Sequence, residues 1–384
     1  MATLNWSKPH VRAAGYQLLL ALALVASGWW AAANVAANLA RAGVGLDFAF
    51  FFQRAGFDIS ISWIDYDASD TYARAFAAGL LNTLALAAAA IVAATAVGIF
   101  VGVAQVSGNP LAEGAMRGYV GLMRNQPKLV ILLAIYIALL NGLPNVRGSF
   151  NPLPGVYLSN RGLYVPAPEW TAGQLALLLA GTAAGVAAAW LYARHARRQR
   201  EARGVRRPVG ALAVAAVVAG LALPGLWGAW PAWSVPQRAG FGFDGGTLAS
   251  IQFVALWLAL TVYHGAQIGE VVRGGILSVP KGQWEAAAAL GLSAVQGLRL
   301  VVLPQVLRTT IPPLTSQYLN LLKNTSIGLA VGYTEFLAVA GTTINQSFRP
   351  IEVMTVVMTV YLAIGLMLSG AMNLLNARLR VAER

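Results

Sequence analysis

Long apolar runs, not alternation, set the pattern of this chain. Eight stretches stand out: about Ala14–Asn34, Ala77–Val103, Val120–Leu140, Ala172–Tyr192, Gly210–Trp230, Leu248–Ile268, one somewhere within Thr310–Val339, and Val353–Ala377. Several exceed the roughly 18 apolar residues that suggest a membrane-spanning helix. The pattern predicts an all-α polytopic membrane protein with about eight transmembrane helices. Two crossings are irregular: Arg124 lies near the inner end of the third, and Pro312, Pro313 and Lys323 interrupt the seventh. The first is too long for a usual signal-peptide core, although Ala31–Ala33 imitates a cleavage site, so it reads as a retained anchor.

One short, partly polar segment, Glu285–Pro304, breaks this pattern between the sixth and seventh crossings. Pro280 suits a first helical turn, and Glu285 with the alanines after it favours helix. Gly291 can take the left-handed conformation that ends a helix. Ser293 and Gln296 then have the spacing of a capping box that starts a second short helix. Two small helices about a glycine form a stiff protrusion with a small-residue face, able to seat in a partner's cleft. An amphipathic interfacial helix also fits an alanine-rich run.

Composition narrows the chemistry. Of 384 residues, 58% are hydrophobic and 11% charged, against about 25% charged in soluble domains. Cysteine is absent, which excludes disulfides and thiol catalysis. His10, His195 and His264 lie far apart without metal-ligand spacing, so neither a metal site nor a catalytic group is expected. The net charge of +13 is a matter of placement. With the N-terminus inside, nineteen basic residues fall in inner segments, among them Lys8, Arg12, Arg117, Lys128, Lys281, Arg299 and the run Arg194–Arg207. Seven fall outside: Arg41, Arg54, Arg74, Arg147, Arg161, Arg238 and Arg349. This asymmetry predicts that both termini are cytoplasmic and puts Glu285–Pro304 on the same side. The basic run reads as a topology-setting loop or as a site for anionic lipid headgroups. Nucleic acid is not expected, since neither interleaved aromatics nor a recognition fold accompanies the charge.

No internal repeat is evident. Two long outer loops, Leu39–Asp70 and Asn141–Glu169, are expected to be partly packed, the second stiffened by five prolines. Polar groups inside crossings are costly and stand as functional candidates. Glu270 and Arg273, three residues apart, either face a substrate or brace each other as an ion pair. Tyr263, His264 and Gln267 share that helix; His264 and Gln267 lie on one face, suited to an amino acid's two charged ends or to an interhelical pair. Lys323, Asn324, Thr325 and Ser326 either line the path or hold a helix break.

Glu285, Ala286, Ala287, Gly291, Val301, Leu303 and Pro304 together resemble, position by position, the EAA loop of ATP-binding-cassette (ABC) importer permeases, with Val301 where Ile is usual. The flanks Glu270-Val-Val-Arg273, Ser278-Val-Pro-Lys-Gly-Gln-Trp-Glu285 and Lys323-Asn-Thr-Ser326 look like the polar amino-acid subfamily. Leu80-Leu-Asn-Thr83, Asn160-Arg-Gly-Leu-Tyr164, Gly341-Thr-Thr-Ile-Asn-Gln346 and the C-terminal Val381-Ala-Glu-Arg384 resemble general L-amino acid (Aap/Bzt-type) permeases, and among them the larger Q-type subunit.

The resemblance implies a five-helix type I importer permease core with three extra helices. Its domains would be an N-terminal anchor and periplasmic segment at 1–76 and a permease domain at 77–384. The latter would contain an inserted helix pair at about 171–232 and a coupling loop at about 276–308. The implied partners are a second permease in a heterodimer, a pair of cytoplasmic ATPases, a periplasmic amino-acid-binding protein and membrane lipid, in a bacterial inner membrane. This chain has no G-x-x-x-x-G-K-[ST] loop, so ATP and Mg belong to the partner ATPase and no cofactor is expected here. Docking would fall to Glu285, Ala286, Ala287 and Gly291, with Leu303 and Pro304 completing the coupling segment. The third crossing departs from the family's Arg-x-x-Pro-Leu-Leu-x-Gln: it reads Arg124-Asn-Gln-Pro127-Lys128-Leu-Val-Ile131. Either a substrate contact has moved to the partner permease, or Lys128 snorkels to the inner interface. The alternative function is an ion-coupled secondary amino-acid transporter, disfavoured by the scarcity of intramembrane carboxylates.

Overall fold

The computed structural model describes residues 9–41, 45–203, 209–226, 230–240 and 242–379. Lys8, Arg206, Arg207 and the C-terminal Val381-Ala-Glu-Arg384 therefore lie outside the described residues. The helices in chain order are α1 (Pro9–Arg41), α2 (Tyr72–Ala104), α3 (Pro110–Asn125), α4 (Lys128–Gly142), α5 (Ala172–Arg203), α6 (Val209–Leu226), α7 (Ile251–Leu277), α8 (Lys281–Ala289), α9 (Ala294–Gly297), α10 (Leu303–Asn324), α11 (Phe336–Ser347) and α12 (Pro350–Leu379). Short strands flank the α5–α6 hairpin. Before it come β1 (Phe150–Leu153), β2 (Val156–Ser159), β3 (Gly162–Val165) and β4 (Ala167–Glu169). After it come β5 (Ala232–Ser234), β6 (Gln237–Ala239), β7 (Gly242–Asp244) and β8 (Thr247–Ser250).

The protein is mostly helical, as expected, and the apolar runs fold less regularly than eight straight helices. Among the described residues, five helices are long and apolar enough to span a membrane alone, and the total reaches seven if each of two bent helix pairs is one span. Where the sequence suggests a fifth crossing at Gly210–Trp230, α6 is 18 residues long and is not among these, so the expected eight is not established. The third crossing is not one helix. It breaks at Gln126–Pro127 with a bend of 107° between α3 and α4. Proline has no N–H to continue the ladder and pushes the residue before it to extended backbone; Gln126 sits at φ −100, ψ 140. The seventh behaves in the opposite way: α10 runs through Pro312 and Pro313 and continues as a 3-10 segment, Thr325–Val331. Hydroxyls of Thr309, Thr310 and Thr315 bond back to carbonyls of the preceding turn around those prolines.

By internal packing the chain forms two compact units, Met1–Asn82 with Thr334–Leu368, and Thr83–Tyr333 with Ser369–Arg384. The first has a core of Phe50, Tyr72, Phe76, Phe336, Val339 and Val353. The first of the two long loops is packed, as expected: Phe51 and Phe336 meet Phe76 edge-on, and Arg349 pairs with both Asp47 and Glu352. Buried Glu335 caps α11 by accepting from Ala338 N at 2.8 Å. The most apolar part of α1 has no buried residue.

In the second unit, α7 is central, with 13 of its 27 residues buried. Ser250 caps it, accepting from Phe253 N at 3.1 Å, so β8 leads directly into the helix. Strands β1, β2, β3 and β8 form an antiparallel sheet, with β4–β5 and β6–β7 as two further pairs. The second of the two long loops, Asn141–Glu169, is thus part of a small folded cap. The α2–α7 contact uses glycines on both helices. A Cβ at Gly102 would stand 2.6 Å from Val272 Cβ and 2.8 Å from the Gly269 carbonyl oxygen, and Gly98, Gly265 and Gly269 are as tightly met. Two G-x-x-x-G stripes, Gly98/Gly102 and Gly265/Gly269, let these backbones approach.

Candidate functional site

The segment that interrupts the apolar pattern is a small exposed elbow. Ser278 ends α7, its hydroxyl bonding to Gly275 O at 2.7 Å, and Val279 is buried with Val302 and Val306. Pro280 occupies the cap position just before α8. Gly291 takes φ +75, and the turn is closed by Gly291 N to Ala288 O at 2.9 Å and Leu292 N to Ala287 O at 3.2 Å. The capping box forms in full: Ser293 N donates to Gln296 Oε1 at 2.9 Å and Gln296 N to Ser293 Oγ at 3.3 Å. Glu285, Ala286 and Gly291 are exposed. Ala287 is not, because it packs inside the elbow against Gly297.

Two tip residues that the sequence reading passed over, Leu290 and Val295, are 80% and 73% exposed. Apolar residues placed beside a glycine turn, outside any crossing, were the available signal. Leu303 and Pro304 lie at the foot of α10, after a π-helical turn Leu298–Val302, rather than on the tip. Leu303 helps line an apolar cavity of about 440 Å³ together with Trp284, Ile268, Val272 and Leu314.

A second cluster lies midway along α7. His264 is the middle residue of that helix and is 1% exposed. Asn324 of α10 sets its Nδ2 3.0 Å from His264 Nε2. The Lys128 ammonium donates to Asn324 Oδ1 at 3.0 Å and stands 5.3 Å from the centre of the Tyr263 ring. From its place just after the break at Pro127, the Lys128 side chain is thus directed to the middle of α7 and the end of α10. The Gln317 side chain approaches the imidazole, yet His264 Nδ1 is buried with no partner in hydrogen-bonding geometry among the described residues. Gln267 lies one turn below, half-buried.

The other candidates resolve into local roles. Glu270 accepts from Arg273 at 3.1 and 3.2 Å and lies 3.6 Å from Arg124 of α3, a brace between two helices. Thr325 and Ser326 bond back to Leu322 and Lys323 carbonyls where α10 gives way to the 3-10 turn, and Lys323 is exposed. Among the described residues no three His, Asp or Glu side chains gather as a metal site.

Residues 94–381 match the family described as "Binding-protein-dependent transport system inner membrane component". The chain belongs to that family. The chain is 40% identical over 377 residues to the general L-amino acid transport system permease protein AapQ of Rhizobium johnstonii, covering 98% of this chain and 94% of the relative. It is 41% identical to the putative amino-acid ABC transporter permease protein YhdX of Escherichia coli, over 100% of this chain and 98% of that one. The glutamate/glutamine/aspartate/asparagine transport system permease protein BztB of Rhodobacter capsulatus is 34% identical over 96% of this chain and 93% of its own length.

Proposed function

We propose that this chain is a permease subunit of an ABC amino-acid importer in a bacterial inner membrane, with both termini cytoplasmic. Near-full-length identity to permeases named for amino-acid transport carries the reading. The exposed, self-capped elbow supports it, because a stiff protrusion without apolar cover suits docking to another chain. Two helices joined by one left-handed turn move as a unit. A displaced docking partner would therefore rotate α7 and α10, which flank the elbow, as rigid bodies.

Docking is assigned to Glu285, Ala286 and Gly291, with Leu290 and Val295 adding apolar contact. Ala287, Leu303 and Pro304 set the elbow's shape and footing. The partners are a second permease, an ATPase pair that binds ATP and Mg, and a periplasmic binding protein. The permease domain is placed at 77–384, its core being α2, α3–α4, α7, α10 and α12. The substrate path is assigned to Tyr263, His264, Gln267 and Asn324. No observation favours an ion-coupled secondary transporter.

The test is reconstitution with candidate ATPase and binding protein in vesicles lacking any ion gradient. ATP-dependent amino-acid uptake is expected, together with co-purification of the ATPase that is lost on changing Leu290 and Val295 to Asp. Uptake that follows a proton or sodium gradient without ATP would overturn the reading.

A further inference from the structure

The mid-helix cluster holds a cation without a counter-charge. Lys128 is half-buried beside the middle residue of α7, and no carboxylate lies within ion-pair distance of it among the described residues. The groups it touches are neutral: the Asn324 amide oxygen and the Tyr263 ring face. A cation kept at such depth is costly unless something anionic visits it. The backbone adds the same sign of charge there. Lys128 is the first residue of α4, and Pro127 before it offers no side-chain cap, so the positive end of a 15-residue helix opens at this point. The 1%-exposed His264, with an unpartnered Nδ1, makes this a polar cluster within an apolar bundle. Broken helices whose N-terminal ends face an anionic group are a general means of holding carboxylates at mid-membrane.

We propose that Lys128, with the N-terminal turn of α4, binds a carboxylate of the transported amino acid, and that Asn324 positions the ammonium for it. The inference rests on the substrate-path reading above and names the chemistry of that site. An amino acid presents a carboxylate in two ways, as its main-chain group or as an acidic side chain, and either has the charge that Lys128 lacks opposite it.

The test uses the assembled complex with its ATPase and binding protein in proteoliposomes, measuring uptake of glutamine and glutamate. Lys128→Met removes the charge and keeps the length, while Lys128→Arg keeps the charge. Losing a charge-assisted contact is expected to lower uptake about tenfold to a hundredfold in Lys128→Met, with partial recovery in Lys128→Arg. Equal loss for both substrates assigns the main-chain carboxylate; loss confined to glutamate assigns the side chain. Unchanged uptake of both by Lys128→Met overturns the proposal. If that variant transports normally while His264→Leu and Gln267→Leu together abolish uptake, the path stands and only the carboxylate role fails; if neither change matters, both fail. Should Lys128→Met not assemble, Lys128→Gln is measured in its place. Loss of the second permease from both complexes would assign the charge to the subunit interface and also overturn the proposal.

Discussion

Replacing Gly291 with valine isolates one physical term. Gly291 sits at φ +75, and no atom lies within 4 Å of where a Cβ would stand. The substitution therefore introduces no clash, and its penalty is that of placing an L-residue in left-handed geometry, about 1–2 kcal/mol. Valine lies at the unfavourable end of that range, because a β-branched residue at positive φ is an outlier. A penalty of that size lowers the ratio of native to opened turn by a factor of about 5–30. The turn holds α8 to α9 through the hydrogen bonds to Ala288 O and Ala287 O, so the elbow loses its shape while the helices behind it do not. Uptake by the reconstituted complex should fall by up to that factor, with normal membrane insertion. Asparagine tolerates left-handed backbone, so Gly291→Asn should retain most of the uptake. Wild-type uptake by Gly291→Val would refute the coupling role. Equal damage by Asn and Val would show that the docking surface, not the backbone angle, requires glycine.

Three further outcomes follow from the geometry. Gly102→Ala should lower the thermal stability of the purified protein by about 1–3 kcal/mol, since its Cβ meets Val272 and the Gly269 carbonyl, whereas Gly114→Ala, with open space, should not; equal melting points would mean the α2–α7 approach is looser than described. Glu270→Gln should cost only about 0.2–1 kcal/mol, because its partners are partly exposed, and should leave uptake within about threefold of wild type; loss of uptake in an intact complex would move Glu270 into the path. Ser293→Ala removes one half of the capping box and should cost about 1 kcal/mol. It should speed amide exchange in α9 ahead of α7, and uniform exchange would contradict a locally held elbow.

The elbow was legible in the sequence because every signal in it is local: a glycine where the chain reverses, and Ser293 three residues from Gln296. The long apolar runs were legible for the same reason. Position-by-position apolar counting failed where backbone chemistry outweighed it. Pro127 is visible in the third crossing, yet the residues on either side carry enough hydrophobicity to read as continuous. Pro312 and Pro313 look more disruptive, yet α10 runs through both without a break. The strands of the folded cap are three or four residues long and rich in Gly and Pro, too short for a period to register. The pairing of Gly98/Gly102 with Gly265/Gly269 was hidden within apolar runs, since either stripe alone says nothing about its partner. Lys128 is the clearest case. Nothing within several residues of it says where its side chain ends, because the group that receives it, Asn324, lies 196 residues further along.

The elbow and the mid-helix cluster are connected by few joints. The elbow meets α7 through Ser278–Pro280, where the Ser278 hydroxyl bonds within α7 and reaches Thr309 of α10 at 3.4 Å. It meets α10 through the π turn Leu298–Val302, and Val302 packs on Val279. The same two helices supply His264 and Asn324, whose side chains close to 3.0 Å, and Asn324 holds Lys128. A rotation imposed at the elbow therefore acts on both sides of the cluster. Sliding one helix against the other by a fraction of a turn separates the Asn324 amide from the imidazole and frees the ammonium. If the elbow is where force enters, Lys128 is where it changes affinity for an anion. Leu290→Asp together with Val295→Asp would then leave the Lys128–Asn324 contact locked, so that ATP no longer alters substrate release. Equal release with and without ATP in that double variant, against a clear difference in the unaltered complex, is the signature expected of this linkage; an ATP effect that survives the double change would mean the force arrives by another route.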